Sequence, residues 1–197
     1  MKSASVRRIA GVLNVLVLTA FVCNLVILYL VPSAVSLSGG GGLLEGVQAY
    51  LGGILFPGED DIVLAAVAGS ALIWLAGWSG FDAYSLALTL FLLFSGVCTA
   101  VILWQARRVL KTILRGQPFS MENAVSLRRA AVCAFLIAAA ALARVVWSVW
   151  YYRSALPLAS YNALFVPLFA MAGLLCLVMS ALFRQAAELK AENDLTI

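Results

Sequence analysis

Long uninterrupted apolar stretches, rather than alternating or heptad-spaced positions, dominate this chain. Four of them run from Ile9 to Val31, Ala83 to Gln105, Ala130 to Trp150 and Tyr161 to Phe183, each 21 to 23 residues long. At about 1.5 Å per residue such a helix crosses a hydrocarbon layer about 30 Å thick. The pattern therefore predicts an all-α fold, a four-helix bundle integral to a membrane, in a single membrane domain covering 1–197. A fifth apolar stretch, Ile62 to Trp78, has only 17 residues.

The segments between these runs differ sharply in charge. Residues 33–82 hold Glu45, Glu59, Asp60, Asp61 and Asp82 and no lysine or arginine, with a flexible break at Gly39 to Gly42 and a turn at Pro57-Gly58. Residues 106–129 hold Arg107, Arg108, Lys111, Arg115, Arg128 and Arg129 against Glu122 alone. Cytoplasmic loops of membrane proteins collect lysine and arginine, so the second segment is expected inside and the first outside. That arrangement holds if Ile62 to Trp78 stays on the external side, as one or two short interfacial helices with Trp74 and Trp78 at headgroup depth. Both termini are then cytoplasmic, in a cell inner membrane. The first run follows Lys2, Arg7 and Arg8, which also resembles the start of a signal peptide. Its 23 residues exceed the usual signal-peptide core, so an uncleaved first span is expected.

Composition supports the membrane reading and removes several chemistries. Hydrophobic residues make up 64% of the chain and charged ones 11%, at a mean hydropathy of +1.03, more apolar surface than a water-soluble fold can cover. Cys23, Cys98, Cys133 and Cys176 each lie in a different apolar run, with no C-x-x-C pair, which fits packing rather than zinc or a disulfide framework. The chain has no histidine, the commonest general base and metal ligand. The net charge of +4 flanks the spans, so phospholipid rather than nucleic acid is the expected partner. No H-E-x-x-H, Walker loop or G-x-S-x-G occurs. No enzyme activity, metal or cofactor is expected.

A few residues stand out. Arg144 lies inside the third run, six positions from its end, roughly 9 Å deep. It has two readings: a cation snorkelling toward headgroups beside Trp147, Trp150, Tyr151 and Tyr152, or a buried group paired with an external acid such as Asp82 or Asp61. Asn14, Asn24 and Asn162 are expected to serve helix assembly through interhelical hydrogen bonds of about 1 kcal/mol. Ala130, Ala134 and Ala138 recur at four-residue spacing and suit close helix approach, either inside the molecule or between copies. In residues 106–129, Arg108, Lys111 and Arg115 share a helical face beside Val109, Leu110, Ile113 and Leu114. This predicts a short helix lying on the membrane or docking an acidic partner. Gly116 should end that helix, Pro118 turn the chain and Ser120 cap the next helix, with Asn123 in its first turn.

The loop Gly116-Gln117-Pro118-Phe119-Ser120-Met121-Glu122-Asn123, with Phe183-Arg184, Ala187-Glu188-Leu189 and the ending Glu192-Asn193-Asp194-Leu195-Thr196-Ile197, resembles a bacterial membrane family catalogued as domain of unknown function 2975. The likeness covers roughly Leu86 to Ile197. It implies a four-span bundle with a G-x-P-F-(S/T)-x-x-N loop and an E-N-D-L-T end, and no catalytic residues. It also implies a membrane component that senses a condition or tethers a small helix-turn-helix regulator.

Two functional readings follow. In the first, a non-enzymatic sensor or accessory protein meets a regulator through Arg107, Arg108, Lys111, Arg115, Phe119 and Asn123 of the loop and Glu192, Asn193, Asp194 and Leu195 of the tail. In the second, a small channel or transporter subunit, alone or as a homo-oligomer, uses Arg144 and the asparagines of the spans. The last residues, Gln185 to Ile197, are expected to leave the bilayer as a helical extension and a short tail. The tail, with Asp194 and the terminal carboxylate, is further expected to fold back toward Ser126 and the loop, whose six cations against Glu122 leave a net +5, within a Debye length of about 8 Å.

Overall fold

In the computed structural model, the described residues are 2–38, 71, 74, 83–116, 119–156 and 161–194. They contain four long helices, α1 (Lys2–Ser38), α2 (Ala83–Leu114), α3 (Met121–Tyr152) and α4 (Tyr161–Asp194). No strand occurs among the described residues. All four helices are long and apolar enough to cross a membrane. The fold is therefore the all-α, four-span type anticipated from the apolar runs. Ile62 to Trp78 falls outside the described residues except for Ala71 and Trp74, both helical.

Each helix outruns its apolar stretch. The 32 residues of α2 or α3 extend about 48 Å, well beyond an apolar layer of about 30 Å. α1 continues through Pro32 to Ser38, as an apolar helix tolerates a proline at the cost of a hydrogen bond. The basic stretch after Gln105 is no separate helix lying on the membrane. It is the last part of α2 and reaches Leu114 without interruption, since Arg, Lys and Leu are good helix formers. The helical extension expected beyond Phe183 is present, since α4 runs on to Asp194 as one helix with an Arg184–Glu188 pair at 2.9 Å one turn apart; residues 195–197, on which the fold-back rests, lie outside the described residues.

The chain forms two compact units, residues 26–93 and residues 1–25 with 94–197. In the first, Val31, Pro32 and Val35 are buried, and the enclosed Thr89 satisfies its hydroxyl by donating to Ser85 O at 2.8 Å.

The second unit assembles segments of all four helices. α1 meets α2 where Asn24 Nδ2 donates to Gly96 O at 3.0 Å and Phe21 packs against Trp104 with ring centroids 5.8 Å apart. The assembly role expected of Asn24 is thus in place. Asn14 is buried at Oδ1 without a hydrogen-bond partner among the described residues, and the side chain of Asn162 lies outside the described set. α3 is the most enclosed helix, with 39% of its apolar window buried against 11%, 11% and 6% for the others. Its buried stripe includes Ala130, Ala131, Ala134, Ile137, Ala138, Ala141 and Val145. The four-residue alanine spacing is therefore an internal contact. α4 packs along α3, and Gly173 makes this approach possible: a Cβ there would stand 3.0 Å from the Phe135 ring. Outward faces keep large apolar side chains exposed, such as Leu16, Val132, Leu175 and Val178, as a helix bundle immersed in lipid requires.

Candidate functional site

The polar contacts of the larger unit gather where α2 hands over to α3. α2 stops at Leu114. Arg115 N donates to Lys111 O at 3.1 Å, and Gly116 N donates to Ile113 O at 3.0 Å. Gly116 has φ of +79°, a left-handed turn that residues with a Cβ adopt at a cost. A Cβ at Gly116 would meet nothing within 4 Å, so conformation rather than space requires glycine. Gln117 and Pro118 lie outside the described residues. Ser120, in extended conformation, then caps α3 with Oγ accepting from Asn123 N at 3.4 Å. The terminator and the cap read from the sequence are both present.

Asn123 is the pivot of this junction. It is fully buried, and its Oδ1 lies 2.7 Å from Thr112 Oγ1 on the last turns of α2. The same hydroxyl is 2.7 Å from Val109 O, so one proton is shared between two acceptors. One helical turn away, Arg108 Nη2 donates to Glu122 Oε1 at 2.8 Å. Both side chains of that pair are about half exposed, which limits its worth to a few tenths of a kcal/mol. Glu122 also sits in the first turn of α3, where the helix dipole favours an anion. α4 clasps the arrangement: Ser180 Oγ donates to Ala124 O at 2.7 Å, and the Phe119 and Phe183 rings meet at 5.8 Å.

The residues singled out from the sequence divide in three. Lys111 and Arg115 are exposed, and Phe119 is 53% exposed despite its ring contact, so these three present themselves at the junction surface. Arg108 is held by Glu122, Arg107 has its Nε buried without a hydrogen-bond partner among the described residues, and Asn123 is spent inside. Glu192 and Asn193 are exposed but engaged on the last turn of α4. Asp194 is the last helical residue, and Leu195 lies outside the described residues.

Arg144 belongs elsewhere. It is half-buried and engaged, 21 positions along α3 from Asn123, or roughly 30 Å along the helix axis. Asp82, its expected counterpart, lies outside the described residues. Past Arg144, Trp147, Trp150, Tyr151 and Tyr152 are all exposed, in the aromatic belt expected of a membrane boundary.

Two contributors to the junction were not singled out from the sequence, Thr112 and Ser180. Lone hydroxyls in apolar helices carry no local signal of whether they face a neighbouring helix or bond back to their own backbone, as Thr99 does to Ser95 O.

No curated protein and no solved structure matches the chain. Residues 76–197, more than half of it, match the family described as "Protein of unknown function (DUF2975)". That stretch contains the whole junction, with the glycine, phenylalanine, serine and asparagine of its loop, so the chain belongs to this family of four-span membrane proteins.

Proposed function

We propose that the protein is a non-enzymatic accessory or sensor component of a bacterial inner membrane, with both termini cytoplasmic, and that the α2–α3 junction is where a cytoplasmic partner docks. One observation carries the reading: the loop motif builds a pinned turn in which the buried Asn123 and the half-buried cap Ser120 hold its shape while Lys111, Arg115 and Phe119 remain outward. A fixed turn displaying two cations and an aromatic ring suits recognition of an acidic protein surface, because preorganised groups lose little entropy on binding. The family resemblance points to a small helix-turn-helix regulator as the partner class.

Co-purification with a small helix-turn-helix regulator tests this. The double substitution Lys111→Glu/Arg115→Glu should abolish capture. Capture unaffected by that change, and by removal of residues 192–197, would end the proposal. A channel or transporter subunit is the second reading, motivated by Arg144, a cation inside an apolar span. Ion flux in liposomes that disappears with Arg144→Ala would favour it.

A further inference from the structure

An open groove of about 470 Å³ runs between α2 and α3, lined by Val101, Val125, Arg128, Arg129, Val132 and Cys133. Its volume lies within the ordinary range of small-ligand sites. The five α3 residues recur at three- and four-residue intervals and form one face of that helix. The groove has two chemically distinct parts. Its body is three valines and a thiol. Its polar part is two guanidiniums, both exposed and neither in a hydrogen bond or ion pair among the described residues. Elsewhere at the junction Arg108 has its carboxylate, whereas Arg128 and Arg129 leave two adjacent positive charges unneutralised at the point where α3 enters its apolar run at Ala130.

We propose that this groove is a binding site for an anionic phospholipid. Arg128 and Arg129 hold the phosphate through charge-assisted hydrogen bonds, and the upper part of one acyl chain lies along Val101, Val125 and Val132. An apolar groove continuous with two unpaired cations is complementary to a molecule that joins an anion to a hydrocarbon chain. A free phosphate would use the cations and leave the valines wet. A zwitterionic lipid would bring its own cation beside the guanidiniums. An acidic peptide would have to lay its backbone against apolar walls that offer it no hydrogen bond.

Native mass spectrometry of the full-length protein, released from nanodiscs of equal phosphatidylglycerol and phosphatidylcholine, tests the assignment. The wild type should retain phosphatidylglycerol in preference by about tenfold or more, as two favourably placed cations allow. Arg128→Gln/Arg129→Gln should remove that preference. Val101→Trp, which fills the body of the groove and keeps both cations, should weaken it several-fold. Arg7→Gln/Arg8→Gln, which removes two charges from α1, should leave it intact. No preference in the wild type would overturn the proposal, as would a preference that survives Arg128→Gln/Arg129→Gln. Equal loss on removing the α1 charges, or indifference to Val101→Trp, would mean diffuse surface attraction and would also refute a site. Glycerol 3-phosphate is a separate arm: if it raises the melting temperature as much as phosphatidylglycerol does, the occupant is a phosphate and not a lipid. Should Arg128→Gln/Arg129→Gln fail to give a monodisperse protein, the Val101→Trp and glycerol 3-phosphate arms still decide the question.

Discussion

Replacing Asn123 by alanine is the most direct probe of how the junction is held. The carboxamide is fully buried and shares the Thr112 proton at 2.7 Å. Its removal loses a hydrogen bond worth about 0.5–1.5 kcal/mol net and leaves a small cavity. The threonine is not orphaned, because it retains Val109 O at 2.7 Å, so the full cost of an unsatisfied buried donor does not arise. Asn123 makes a further interaction, whose loss adds to the effect. The expected destabilisation is about 1–3 kcal/mol. Thr112→Val, by contrast, deprives Asn123 Oδ1 of this donor, and the two changes together should cost less than their sum by about 0.5–1.5 kcal/mol. Unfolding in mixed micelles at increasing dodecyl sulfate fraction, followed by tryptophan fluorescence, gives the three free energies. Additivity within about 0.3 kcal/mol, or an Asn123→Ala variant as stable as the wild type, would show that the contact does not hold the turn.

Other substitutions have distinct signatures. Gly116→Ala should cost about 1 kcal/mol through its left-handed conformation alone, in the same unfolding assay, because no atom stands in the way. Gly173→Leu should lower the melting temperature by several degrees, since even a Cβ would stand 3.0 Å from Phe135 and a larger side chain must part α3 from α4. Asn24→Leu should cost about 0.6–1.7 kcal/mol for the lost bond to Gly96 O; an unchanged stability would mean that this bond does not hold α1 to α2. Glu122→Gln should alter stability by less than about 1 kcal/mol, and that difference should vanish in high salt, because the Arg108–Glu122 pair is half exposed. For orientation, single cysteines at Arg115 and Glu45 in a background lacking the native thiols should react with an impermeant maleimide from opposite sides of the membrane; labelling from the same side would refute the assigned topology.

The four spans were legible because continuous apolarity over 21–23 residues, in a chain of this composition, suits a lipid-crossing helix and little else. Gly116 and Ser120 were legible because their roles depend on local backbone chemistry. So was the extension of α4 beyond Phe183, whereas the end of α2 was not. Apolar runs mark where lipid begins, and Arg107 to Leu114 is helix-compatible sequence that carries α2 past that boundary. Part of the inward face of α3 was legible in the Ala130, Ala134 and Ala138 spacing, but small residues say only that a helix can come close, not whether it belongs to the same molecule or to another copy. Asn123 could be placed in the first turn of α3, but its burial depends on α2 and α4 meeting around it, a tertiary fact that no spacing encodes. Phe119 shows the converse: within the motif its ring leans on Phe183 and still remains half open to the outside.

The absence of a joint between Gln105 and Leu114 makes the last part of α2 a lever arm. Nine residues beyond the end of the apolar run project roughly 13 Å, so tilting the span by about 10°, the kind of adjustment a helix makes when bilayer thickness changes, swings the tip by about 2 Å. Lys111 and Arg115 ride on that tip, and Thr112 ties it to the start of α3. A change in the tilt of that span would thus become a displacement of charge at its far end.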